Sequence, residues 1–365
     1  MQITEIKVSG LIDFAQGNLW QNLSPKPITL LRAFSQSKNP RANADDVALL
    51  IAYEGNQLLG LVGLLPDFIH GESSMPASSN SCWWVDPQKG KHLAVPLFMK
   101  AFALCNQKMF MTDCTPHTLQ ILVRTNWFDF PETPSGMRGF LKLNLHEVLP
   151  SKFPSTWKFK NLLKLGDYCL NTLLFSYLKW KQNRFRKIGI EVEYLSSLNE
   201  EMHQFIDVHS HDEFIRRSGF DLEWIVQNPW ISRINNEKCG VLEEYPFSHL
   251  VKHFKQYFVK ITDSGQSVGL VLISLRDGHL KVPYSYFHEN HAQQVIKVIY
   301  RECLLQKAVT LTVFSPGLVK RMSTDPQPFI FKKRIKRLIA ISKQLSDSYQ
   351  KYPVLQDGDG DIVFT

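Results

Sequence analysis

"SCWWVDPQKGKHLAVPLFMKAF", Ser81 to Phe102, is the stretch on which the reading of this chain turns. Two tryptophans precede a proline, and polar and cationic residues then gather around one glycine. From there the apolar residues Leu93, Leu97, Ala101 and Leu104 recur at helical spacing. The spacing predicts a strand ending near Val85, a basic elbow and then a helix. A helix start leaves backbone N–H groups unpaired and carries partial positive charge, so such an elbow is suited to an anion.

The flanks extend the pattern. Upstream, "VALLIAYEGNQLLGLVGLLPDFI" (Val47 to Ile69) is apolar on both sides of Gly55-Asn56 and predicts a hairpin. Downstream, "KMFMTDC" (Lys108 to Cys114) predicts a short buried strand. Thr115-Pro116 then offers a capping hydroxyl and a proline at the first position of another helix. "GMRGFLKLNLHEVL" is expected to return to strand.

The same order recurs later. Lys255 to Gly278 predicts a hairpin around Ser264-Gly265, His279 to Phe287 a strand, His291 to Gln306 a helix and Ala308 to Pro316 a strand. A short helix over 317–323 and late strand or amphipathic structure in "FIFKKRIKRLIAI" follow. The repeat lies in the order of elements, since identity between the halves is negligible. This predicts residues 1–150 as one α/β unit, 151–190 as a basic amphipathic linker and 191–365 as a second unit. At about 150 residues per domain, a chain of 365 residues fits two units.

Composition narrows the function classes. With 44% hydrophobic and 12% aromatic residues the chain is not a disordered one. A net charge of +8 and a pI near 9.0 favour phosphorylated cofactors, nucleic acid or an anionic membrane surface. The excess is uneven: Ser151 to Lys187 holds nine Lys/Arg, with Asp167 as its one acid. The six cysteines (82, 105, 114, 169, 239, 303) stand singly and read as buried, reduced thiols of an intracellular protein. "MQITEIKVSG" alternates like a strand rather than a signal peptide. No run of about 18 apolar residues predicts a membrane span, so a cytoplasmic location is expected.

A hairpin, a strand ending in V-x-P, a glycine-containing elbow, a helix and a parallel strand resemble the central pattern of the GNAT (Gcn5-related) acyltransferases. Val85, Asp86, Pro87, Gly90 and Ala94 carry the resemblance. Against the family elbow Q/R-x-x-G-x-G/A, the stretch Gln88 to Leu93 puts Lys91 where the first glycine belongs and Leu93 where the last small residue does. The resemblance implies an α/β (α+β) fold of two GNAT-like units in tandem, each a mixed, mostly antiparallel twisted sheet flanked by helices. It further implies acetyl-coenzyme A or another acyl-coenzyme A as co-substrate. Its pyrophosphate would lie at the elbow and its pantetheine along the preceding strand, against Trp84, Val85, Lys89, Gly90, Lys91, His92 and Leu93.

The implied reaction is direct transfer of the acyl group to an amine or hydroxyl. Strand N–H groups of residues 82–85 would polarise the thioester carbonyl, and Asp113 or His117, at the cleft mouth, would move protons. The tyrosine that many family members carry in the following helix is missing from residues 115–130. Cys114 has no evident partner for nucleophilic work and reads as core.

On the acceptor side, residues 209–230 resemble the family's closing helical pair and offer Arg216 and Trp224. The second unit offers Tyr284 and Tyr286 on one strand face. Without a glycine elbow of its own, that unit is expected to shape the acceptor pocket rather than bind a cofactor. The acceptor reads as a small molecule or a lipid- or sugar-linked one. The segment 151–190 either packs between the units or rests against an anionic membrane. No metal is expected, because neither His209/His211/Asp212 nor Asp357/Asp359/Asp361 has the spacing of a metal site. Two alternatives stay open. One is a Fem-type transferase using aminoacyl-tRNA, the one role read here for nucleic acid. The other is a non-catalytic pair that binds a ligand or partner.

Overall fold

In the computed structural model the described residues are 1–70, 74–185, 189–234 and 244–364, excepting the side chains of residues 147, 148, 151, 152 and 178. Cys239 lies outside them. In chain order the strands are β1 (Gln2–Lys7), β2 (Val47–Glu54), β3 (Gln57–Ile69), β4 (Met75–Val85), β5 (Met109–Met111), β6 (Phe128–Asp129), β7 (Gly136–Phe140) and β8 (Glu191–Leu195). A parallel ribbon of β9 (Ser232–Arg233) and β10 (Leu250–Val251) follows. The last strands are β11 (Phe254–Asp263), β12 (Gln266–Arg276), β13 (His279–Phe287), β14 (Thr310–Val313), β15 (Phe331–Ile335) and β16 (Ala340–Ser342).

Two seven-stranded sheets result. The first runs β1-β2-β3-β4-β5-β16-β6 and the second β15-β7-β14-β13-β12-β11-β8. In each, a run of antiparallel strands meets one parallel neighbour, β4 with β5 and β13 with β14. The repeat expected from the order of elements is therefore present.

The division of the chain differs from the expected one. One compact unit holds residues 1–133, 197–254 and the chain from Arg337 on; the other holds residues 134–196 and 255–336. The reason is an exchange of strands. β7 pairs with β14 and β15 in the second sheet. β16 returns to the first sheet, between β5 and β6. The glycines of β7 fit this place, because a Cβ on Gly136 or Gly139 would come 2.6 Å from the ring of Phe314 or Phe329. The rest of the expected strand is a helix, Leu145–Lys152. The expected linker contains a 24-residue helix, Lys160–Asn183, that belongs to the second unit. Near the end of the chain Ile362–Phe364 form a 3-10 turn.

β2 and β3 are buried on both faces, which explains their near-continuous apolar sequence. Leu50, Ala52, Leu59, Val62 and Leu64 meet Leu97, Phe98, Ala101 and Phe102 of the helix Ala94–Leu104. Leu49, Ile51, Leu58 and Leu61 face the opposite way, against Leu11, Ala15, Trp20, Ile28 and Ala33. In the second unit the helix Ala292–Leu305 lays Val295, Ile296, Ile299 and Cys303 on Val259, Ile261, Val271 and Ile273. Cys82, Cys114 and Cys303 are buried free thiols and Cys105 is half-buried. Cys169 is exposed, against expectation, because it faces outward from the helix Lys160–Asn183. Among the described residues, no helix is long and apolar enough to cross a membrane.

Candidate functional site

β4 and β5 pair only through Ser78 with Met109 and Ser79 with Phe110, although β4 continues to Val85. Past Ser79 the two parallel strands separate, and the edge of β4 over residues 80–85 is not laddered to β5. Its other edge stays paired to β3 with one irregularity: Gly63 faces Cys82 while Leu64 faces Asn80, so Ser81 is an extra residue. Such a bulge turns a side chain out of the regular alternation.

The side chain so turned meets a buried cation. Arg32 Nη2 donates to Ser81 Oγ at 2.5 Å and Arg32 Nη1 to the Tyr245 hydroxyl at 2.9 Å. The guanidinium lies over the Trp230 ring, 4.1 Å from its centre. Gly63 makes the room, since a Cβ there would sit 2.5 Å from Cys82 Sγ and 3.0 Å from Arg32 Nη2. Burial pushes both the Cys82 thiol and the Tyr245 phenol up, and Arg32 pulls each partly back. The cluster thus joins a positive charge, opposed in part by the nearby Asp361 carboxylate, a phenol kept protonated and a hydroxyl at the bulge. A cation of this kind stabilises a developing anion, and a protonated phenol can deliver a proton to it.

The separation of the strands is crossed by the C-terminal stretch. Thr112 Oγ1 donates to the Asp359 carbonyl at 2.9 Å. Gly360 lies so near that a Cβ would come 2.6 Å from Thr112 Oγ1 and 2.9 Å from Ser79 Oγ. Asp359 Oδ2 accepts the Gln356 N–H at 2.8 Å, and Asp357 forms an ion pair with Arg337.

The elbow after β4 is closed on itself. Asp86 Oδ1 accepts the N–H groups of Gln88 (2.8 Å) and Lys89 (2.7 Å), and the Asp86 carbonyl accepts that of Gly90 (2.9 Å). The Lys89 and Gln88 amides hold this carboxylate below its ordinary range. The expectation that the hydrogens past Pro87 converge on an external diphosphate is corrected here for Gln88, Lys89 and Gly90. An aspartate folding back on the amides two and three residues ahead forms an Asx-type turn, which occupies them. Gly90 serves close packing instead, because a Cβ would come 2.1 Å from the Leu59 carbonyl oxygen. Leu93 points into the core. What remains for an anion is the exposed side chains of Lys89, Lys91 and His92, with Lys89 Nζ bonded to Gln57 Oε1 at 2.8 Å, and the opening N–H groups of the 3-10 turn Lys91–Leu93.

The two tryptophans face opposite sides of β4, as their alternation predicts. Trp83 stacks on Phe98 with ring centres 4.7 Å apart; Trp84 packs on the face of the N-terminal helices. Val85 joins Trp83 against the helix Ala94–Leu104.

Asp113 and His117 are exposed around the start of the helix Pro116–Thr125, and neither makes a hydrogen bond or ion pair among the described residues. The cap itself is Thr115, which accepts the Thr118 N–H at 3.1 Å.

Of the expected acceptor residues, Arg216 is exposed and Trp224, Tyr284 and Tyr286 are buried. Arg216 is bonded to Ser210 Oγ and, at 2.9 Å, to the Asp207 carbonyl, closing the end of the helix Glu200–His209. Trp224 is buried, its indole donating to the Ser35 carbonyl at 3.3 Å and its ring meeting Phe364 edge-on. Tyr284 and Tyr286 are fully buried in the second unit. Trp224, Tyr284 and Tyr286 have been taken into packing, whereas Arg216 stays exposed with its guanidinium held at the helix end. Tyr245 and Arg32 were not recognisable beforehand, since neither lies in a motif.

The chain has a tandem GCN5-related N-acetyltransferase (GNAT) fold. It is similar to a GCN5-related N-acetyltransferase from Anabaena variabilis, at a TM-score of 0.50 and 10% identity, covering 93% of this chain and 71% of that one. It is also similar to a conserved protein of unknown function from Enterococcus faecalis described as a probable N-acyltransferase (TM-score 0.51, 10% identity, 96% and 74% covered). A third is an N-myristoyltransferase from Saccharomyces cerevisiae with bound myristoyl-CoA (0.51, 10%, 93% and 78%). At these identities the similarity is one of fold. No protein-family model matches the sequence, and no curated protein does.

Proposed function

We propose that the chain is an acyltransferase that moves an acyl group from acyl-coenzyme A to an amine or hydroxyl by direct attack, with the donor on the first unit. The observation that carries this reading is the bulge at Ser81, set where β4 and β5 part and backed by Arg32 and Tyr245. A thioester lying along the β4 edge would find backbone donors for its carbonyl. Arg32 would stabilise charge there, and Tyr245 would return a proton to the departing thiolate in place of the tyrosine absent from residues 115–130. Lys89, Lys91 and His92 would meet the diphosphate through their side chains. Asp113 and His117, free at the surface, are the groups open to carry the acceptor's proton.

One observation favours a second reading. Because Asp86 holds three of the elbow amides, a donor lacking the diphosphate, such as aminoacyl-tRNA, or a non-catalytic binding role would suit the elbow as it stands. Calorimetric titration with acetyl-coenzyme A and a long-chain acyl-coenzyme A separates the two. Binding that is weakened in Lys89→Glu/Lys91→Glu supports the coenzyme A reading. No heat with either compound overturns it and moves the weight to tRNA, tested by gel shift.

A further inference from the structure

The helix Lys160–Asn183 has one side held against its own unit by polar bonds and an opposite, apolar side that is not covered. Its inner side is held by Asp167 and Asn171. Asp167 accepts the N–H groups of Leu145 and His146, each at 2.9 Å, and Asn171 exchanges two bonds of 2.9 Å with the backbone of Leu143. The outer side carries Leu162, Leu165, Leu173 and Trp180, which are 65%, 59%, 79% and 73% exposed. At helical spacing these four form one stripe, with Cys169 between them. Trp157 and Phe159 of the preceding turn, Tyr168 and Phe175 are exposed as well.

The charge around this stripe names its occupant. Residues 153–183 hold five lysines, and their one acid, Asp167, is buried in the inner bonds just described. A second copy of the chain would bring five more lysines toward the first five. An anionic surface would be attracted instead, and tryptophan and tyrosine beside lysine are the side chains that suit a lipid–water boundary. The helix itself contains four lysines, too many for it to cross the bilayer, so it fits the plane of the surface.

We propose that residues 153–183 bind the surface of an anionic lipid bilayer, the apolar stripe entering the acyl boundary and the lysines meeting the headgroups. The proposal is independent of acyl transfer, because the binding requires neither donor nor acceptor.

The test is flotation of the full-length chain with vesicles of phosphatidylcholine alone and with phosphatidylglycerol added. Flotation with the anionic vesicles only, reversed by high salt, is the expected result. Lys158→Gln/Lys164→Gln/Lys179→Gln should weaken binding to the anionic vesicles roughly a hundredfold. Leu173→Ser/Trp180→Ser should weaken it at least about tenfold. Both variants change exposed side chains, so unchanged thermal unfolding checks their folding. Absence of flotation with anionic vesicles overturns the proposal, as does equal flotation of the Leu173→Ser/Trp180→Ser variant. A dimer of the wild type in sedimentation, abolished in that same variant, would overturn it in favour of a second copy of the chain.

Discussion

Replacing Glu213 by glutamine should change how the stability of the first unit depends on pH. Glu213 is 2% exposed; its Oε1 accepts from Gln356 Nε2 at 2.7 Å, while its Oε2 has no partner. Burial, followed by the nearby Asp359, pushes its carboxyl from 4.5 up to about 8. Between these values the folded chain binds more protons than the unfolded chain. The stabilisation is therefore complete below 4.5, declines as pH rises and is gone above about 8. The full difference corresponds to roughly 5 kcal/mol at most, with a slope near 1.4 kcal/mol per pH unit inside the window. The substituted amide would keep an acceptor for Gln356 without a charge to bury. Urea unfolding of both proteins at constant ionic strength, from about pH 5 to about pH 8, reads the effect. The Glu213→Gln variant should gain on the wild type by about 2 to 4 kcal/mol across that range. A difference that stays flat over the window, or that grows toward acid, refutes the reasoning.

Asp67→Asn should lower the stability of the same unit by about 3 to 5 kcal/mol, measured by denaturant unfolding, because it leaves the buried Arg217 unbalanced and removes a partner of Arg41. Asp86→Ala should release the N–H groups of Gln88 and Lys89 and tighten acyl-coenzyme A binding in calorimetry; unchanged affinity would mean that the elbow does not meet the diphosphate. Tyr245→Phe should reduce turnover by about a hundredfold while leaving donor affinity unchanged, and full activity would remove the phenol from the reaction.

The elements that can be read locally were legible. Apolar runs interrupted by Gly55-Asn56 and Ser264-Gly265 identify the two hairpins, and the spacing of Leu97, Ala101 and Leu104 identifies the helix after the elbow. The self-capping of that elbow was also within reach, since Asp86-Pro87 followed by polar residues carries the composition of a turn. The pairing of β7 was not, because "GMRGF" carries no local mark of its sheet and both of its partner strands lie far along the chain. The Arg32 cluster was hidden for the same reason: its bonds span 49 and 213 residues. Arg216 and Arg217 show the limit most plainly. They are adjacent and identical in type, yet one is exposed and the other is sealed against Asp67.

The exchange of β7 and β16 has a consequence for biogenesis. While the polypeptide emerges from the ribosome, the slot between β5 and β6 cannot close until Ala340–Ser342 have been made, long after its neighbours. The early half must therefore wait with naked ladder groups, and clipping the tail would strand it in that state. Cutting the gene at the apparent midpoint would give two fragments that each lack an inner strand, so recovery of a native product should require co-expression of both.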